Sequence, residues 1–193
     1  AKLLLVDRDL ASAEETARLA GGDAVAFQGD VESEASMKGC IAAAMARWGR
    51  VDVLHYNVGV GLGGGDSPLD SFDEAAFDHI CAVNLRGCIV AVKHVLPVML
   101  AQKSGVILTV SSVAAYENYP YVTYKATKAA IHSYTRSLRE RLRGSVEVIE
   151  LAPPAVQTDL TPGQSTREGY QPPDEFADDV MALFVQQQTP EEV

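Results

Sequence analysis

Apolar runs and helix-spaced segments alternate along the whole chain. Five short stretches, 2–7, 24–28, 51–57, 105–111 and 146–151, are apolar nearly throughout and bounded by turn residues, which predicts β-strands. Between and after them, residues 10–20, 33–47, 74–101, 123–142 and 174–187 carry helical spacing. Strands without polar alternation are expected where helices cover both faces. The repeated strand-helix order therefore predicts an α/β fold, a doubly wound parallel sheet in one domain. The stretch from Leu85 to Leu100 carries an apolar band wider than one core-facing stripe, which predicts a partner subunit against its outer side, with Val95 and Met99 at the contact.

In such sheets ligands bind at the carboxyl ends of the strands. Asp7, Asp30, Asn57 and Ser112 each stand where a predicted strand stops, and together they mark a site. On the helix that follows the fourth strand, Tyr124 and Lys128 lie one turn apart on one face, about 6 Å along the axis. Holding a phenol ionised near neutrality requires about 4 kcal/mol of differential stabilisation, and a fixed neighbouring cation supplies much of it.

Composition narrows the classes. The 193 residues are 47% hydrophobic with a formal charge of −10, and the lysines and arginines are scattered, which argues against a nucleic-acid surface. Cys40, Cys81 and Cys88 are odd in number and lack C-x-x-C spacing, so reduced thiols and a cytoplasmic location are expected. No apolar run reaches the roughly 20 residues that cross a bilayer, and no membrane role is expected. His55, His79, His94 and His132 show neither metal-ligand spacing nor a carboxylate pattern, so no metal site is expected.

Asp7 after a strand, Asn57-Val58-Gly59, Asn84 in Val83-Asn84-Leu85-Arg86-Gly87, Ser111-Ser112, and Tyr124 with Lys128 occur in an order that strongly resembles the short-chain dehydrogenase/reductase family. The resemblance covers nearly the whole chain and implies a Rossmann-type fold, a nicotinamide cofactor, and an alcohol or carbonyl substrate. It implies Tyr124 as general acid/base, Lys128 lowering its pKa and holding the nicotinamide ribose, Ser112 polarising the substrate carbonyl, and Asn84 holding a water that links Lys128 to solvent. Ser111 competes with Ser112, since it restores the family's usual spacing to Tyr124. Asp7 would take the adenosine ribose hydroxyls and favour NAD, with Arg8 moderating the exclusion of NADP. Asp30 and Val31 resemble the adenine-contacting position; Asn57, Gly59, Pro153 and Thr158 complete the expected cofactor contacts. Tyr56 and Val58 depart from the family's Asn-Asn-Ala-Gly motif, and Pro154 departs from its Pro-Gly.

Gly59-Val60-Gly61-Leu62-Gly63-Gly64 fits G-x-G-x-x-G, but Gly65-Asp66-Ser67-Pro68 intervenes before any helix, so this reads as a loop rather than a phosphate cradle. Residues 155–173 resemble a segment that closes over substrate. The resemblance places the family's first strand and glycine-rich loop upstream of Ala1, between the strands ending at Asp7 and Asn57, and its last strand is also expected to be absent. A homodimer or homotetramer through 85–101 and 123–142 is implied. A non-catalytic Rossmann module and a nucleotide-sugar epimerase-like enzyme are the competing readings; the latter requires a larger C-terminal substrate region than the roughly 40 residues after Leu151 provide.

Overall fold

In a computed structural model, which describes every residue except 117–121, 187–188 and the side chain of Leu69, the chain forms strands β1 (Lys2–Asp7), β2 (Asp23–Gln28), β3 (Val53–Tyr56), β4 (Val106–Val110) and β5 (Glu147–Leu151). The helices are α1 (Leu10–Ala20), α2 (Glu34–Trp48), α3 (Glu74–Cys81), α4 (Gly87–Gln102), α5 (Val122–Leu142) and α6 (Pro173–Phe184). Local chemistry sets several boundaries. Asp9, Ser33 and Asp73 cap α1, α2 and α3 by accepting backbone N–H bonds. Gly49 ends α2 at φ 72°, a left-handed position glycine adopts without strain.

All strand pairs are parallel, but they fall into two sheets, β2-β1 and β3-β4-β5. One edge of β1 and one of β3 therefore carry no strand partner among the described residues. This division lies between the strands ending at Asp7 and Asn57, where the family order places a further strand. No strand follows β5 among the described residues, but a short segment takes the place beside it. Residues 191–193 pair parallel with β5: Glu150 N–H donates to Glu191 O, Ala152 N–H to Val193 O, and Val193 N–H to Glu150 O. The free edge of β5 captures three residues too few to leave a sequence pattern.

A layer of α2, α4 and α5 holds the two sheets together. Met37, Cys40, Cys88, Ala91 and Ile131 pack on Leu4 and Phe27 of one sheet and on Leu54 and Tyr56 of the other. A second cluster centres on Val95, Met99, Ile107 and Leu138. On the opposite side, Phe176, Val180 and Phe184 of α6 cover Leu108, Ile149 and Leu151.

The predicted helix 74–101 contains an interruption that spacing did not show: Ala82–Arg86 is a π-helical turn joining α3 to α4. The whole span Glu74–Gln102 is long and apolar enough to cross a bilayer by length and composition. Much of that apolarity is used inside the fold, where Ile80, Cys88, Val95 and Met99 are fully buried. This corrects the assignment of Val95 and Met99 to a subunit contact. The band is wide because its inner part is core, and the large apolar residues of α4 left at the surface are Ile89 and Leu100.

Candidate active site

The carboxyl end of β3 runs into a glycine-rich loop that folds over α5. A Cβ built on Gly59 would stand 3.3 Å from Lys128 Nζ and 3.6 Å from Asn84 Oδ1, and one on Gly61 would stand 3.3 Å from the Tyr124 ring. Glycine at both positions lets the loop backbone approach the phenol and the ammonium closely, and a side chain at either would crowd them. The loop continues into three-residue 3-10 turns at Leu62–Gly64 and Leu69–Ser71 before α3 begins, so the G-x-G-x-x-G string does not open into a helix.

Asn84 fastens this loop. It is 2% exposed, its Oδ1 accepts from Val60 N–H at 2.8 Å, and its Nδ2 donates to Val60 O at 2.8 Å and to Thr127 Oγ1 at 3.1 Å. Thr127 Oγ1 in turn donates to Tyr124 O at 2.8 Å. Through these bonds the Asn84 amide clamps the loop that lies against Lys128.

Lys128 is 5% exposed and donates from Nζ to Val110 O at 2.9 Å, with Nζ 5.6 Å from the centre of the Tyr124 ring. Burial pulls its ammonium down to about 8, with the neighbouring Cys88 sulfur opposing the shift only slightly. Tyr124, in the first turn of α5, donates its backbone N–H to Asp66 Oδ2 at 2.8 Å. Asp66 is itself 6% exposed and accepts Ser67 N–H. A buried carboxylate from the glycine loop therefore completes the amino end of the helix that carries Tyr124 and Lys128. Sequence reasoning passed over Asp66, because the two residues stand 58 positions apart.

The serines differ in orientation. Ser111 is 2% exposed and its Oγ finds no hydrogen-bond partner among the described residues, whereas Ser112 is half-buried and accepts Ala114 N–H at 3.2 Å. Asp7, exposed at the end of β1, accepts Asp9 N–H at 2.8 Å, and the neighbouring Arg8 O accepts from Gln28 Nε2. Asp30 accepts Glu32 N–H at 2.9 Å, and Val31 lies against Gly87 at the end of the π turn. Asn57 is exposed just past β3. Pro153 O accepts Val113 N–H, linking the ends of β4 and β5. In the 155–173 segment, buried Gln164 donates to Val156 O and Thr158 Oγ1, and Val156 bridges Gln171.

Although the sequence shows no carboxylate pattern around the histidines, the fold pairs three of them with acids. His79 meets Glu32, His94 meets Glu34, and His132 Nδ1 lies 2.9 Å from the fully buried Glu150. Ligand atoms of His132, Glu150 and Glu192 all fall within 4.8 Å of one another. The fold creates each of these pairs from residues distant in sequence.

The chain matches the family model described as short chain dehydrogenase over residues 1–169. It is 33% identical over 166 residues to cis-2,3-dihydrobiphenyl-2,3-diol dehydrogenase of Pseudomonas putida, covering 83% of this chain and 58% of that protein. To 2-(R)-hydroxypropyl-CoM dehydrogenase of Xanthobacter autotrophicus it is 32% identical over 166 residues, covering 83% of this chain and 66% of the other. Against curated relatives of this kind the chain spans less than two thirds of their length. Among solved structures, the 3-ketoacyl-(acyl-carrier-protein) reductase of Brucella melitensis complexed with NADH superposes with a TM-score of 0.85 at 28% identity, covering 100% of this chain and 84% of that one. The alcohol dehydrogenase of Thermococcus sibiricus complexed with 5-hydroxy-NADP gives 0.87 at 27% identity, with the same coverage. On the extent of the family match and the fold it shares with these oxidoreductases, the chain belongs to the short-chain dehydrogenase family.

Proposed function

We propose that the protein interconverts an alcohol and its carbonyl compound with a nicotinamide cofactor, preferring NAD, and that Tyr124 is the general acid/base. The observation that carries this reading is the buried Lys128 ammonium beside the Tyr124 ring, with Gly59 and Gly61 pressed against the two side chains. A cation held 5.6 Å from the ring centre and out of water favours the phenolate over the phenol. Tyr124 then exchanges a proton with the substrate oxygen, as donor in reduction and acceptor in oxidation. Ser112, the more accessible serine, donates a hydrogen bond to the same oxygen. Lys128, tied to Val110 O, sets the electrostatics of the phenol; Asn84 and Asp66 fix the loop and the helix end around it.

Lys128 would hold the nicotinamide ribose hydroxyls, and Asp7 at the end of β1 suits those of the adenosine ribose. A bound nicotinamide supplies or accepts the hydride. Asp7 disfavours a 2′-phosphate: at 4 Å and an effective dielectric near 20, each like-charge pair costs about 4 kcal/mol. The names of the two dehydrogenase relatives support a small hydroxylated organic substrate. The test is an absorbance assay of NAD reduction across a panel of secondary alcohols and diols. Substrate-dependent NADH formation supports the reading, and its absence across the panel at millimolar concentrations contradicts it.

A further inference from the structure

The π turn that presents Asn84 has a register that its own sequence does not explain. In an uninterrupted α-helix, Gly87 N–H would bond to Val83 O, four residues back. Here Gly87 N–H bonds instead to Ala82 O, five residues back, so the ordinary donor of Val83 O is diverted. Tyr56, the last residue of β3, donates its hydroxyl to that same Val83 O at 2.7 Å. The phenol is 5% exposed, and burial pushes it well above the ordinary tyrosine range, so it stays protonated and available as a donor. Gly87 makes room for it: a Cβ there would stand 2.4 Å from Tyr56 Oη. Tyr56 is also one of the two residues at which this chain departs from Asn-Asn-Ala-Gly, so the partnership belongs to this sequence rather than to the motif.

We infer that Tyr56 is a positioning residue: its hydroxyl holds the helix in π register at Val83, and thereby holds the Asn84 amide on Val60 and the glycine loop on Lys128 and Tyr124. One residue of register turns a side chain by about 100° around the helix, so reversion to α-helical bonding would carry Asn84 off Val60 N–H and O. The catalytic consequence rests on the function proposed above; the structural one does not.

The test uses Tyr56→Phe, which removes only the hydroxyl, and Gly87→Ala, which displaces it without emptying the core. NMR of the selectively labelled protein reports exchange protection of the Asn84 side-chain amide, and steady-state kinetics report kcat and KM. Both variants are expected to lose Asn84 amide protection at least about tenfold, and kcat should fall by a similar factor while KM changes less than about threefold. Amide protection unchanged in both variants overturns the inference, whatever the activity does. Lost protection with kcat unchanged overturns the catalytic half. If Tyr124→Phe retains turnover while Asn84 protection is lost in both Tyr56→Phe and Gly87→Ala, the proposed function fails and the π-turn assignment stands.

Discussion

Lys128 Nζ donates at 2.9 Å to the carbonyl of Val110, the last residue of β4, so the helix bearing Tyr124 is pinned to the strand that delivers Ser111 and Ser112. A buried ammonium held by one carbonyl leaves a signature in the pH dependence of stability. Its pKa lies near 8 in the fold against an ordinary 10.5, so between those values the unfolded chain keeps a proton that the folded chain has released. Unfolding free energy then rises with pH through that window, because the unfolded state binds more protons. Urea unfolding between pH 8 and 10 is expected to show a gain on the order of 2 kcal/mol from this group, absent in Lys128→Met. Equal pH slopes in the two proteins would show that Lys128 is not desolvated as described.

Asp66 is expected to matter out of proportion to its place in a loop. It is buried, and its carboxylate accepts the backbone N–H of Tyr124 at the start of α5. Asp66→Ala should lower stability by about 1–3 kcal/mol, with Asp66→Asn intermediate, since the amide keeps an acceptor and loses the charge. Thermal and urea unfolding measure both; an Asp66→Ala protein as stable as wild type would contradict the capping role.

Much of this site is legible in sequence only where the relevant spacing is short. Tyr124 and Lys128 announce themselves because four residues on a helix fix their relation, and Asp7 and Asn57 because they end apolar runs. Asp66 meets Tyr124 across 58 residues, and Tyr56 meets Val83 across 27, so neither contact leaves a local pattern. The π turn is hidden for the same reason: residues 74–101 have helical spacing throughout, and the extra residue is accommodated by a tertiary hydrogen bond. Val95 and Met99 show the converse: in sequence their apolar band reads as a subunit contact, although β4 and α5 already bury it. The three residues that pair beside β5 are Glu191, Glu192 and Val193, two of them charged, and only the waiting strand edge gives them a conformation.

Gly61 tests the closeness of the loop to the phenol. Gly61→Val places two further methyl groups beyond a Cβ that already stands 3.3 Å from the Tyr124 ring. A reduction in kcat of at least about tenfold is expected with a small change in melting temperature, because a displacement near 1 Å at a reacting group is that costly. Wild-type kcat in Gly61→Val would place the reacting oxygen elsewhere.

Cofactor choice turns on Asp7, exposed at the end of β1. Asp7→Ala is expected to reduce the ratio of kcat/KM for NAD over NADP by at least about tenfold, by removing both a ribose acceptor and a like charge. Steady-state assays with each cofactor measure it, and an unchanged ratio would assign discrimination to another residue.

The account depends most directly on the Tyr124 hydroxyl, and Tyr124→Phe isolates it by deleting one oxygen and keeping the ring that packs on Gly61. Turnover and NADH affinity should be measured together on that variant. The expected result is turnover below about a tenth of wild type with NADH affinity within about threefold, as follows when only a proton-transferring atom is lost. Turnover close to that of wild type would contradict the assignment of Tyr124 as the general acid/base.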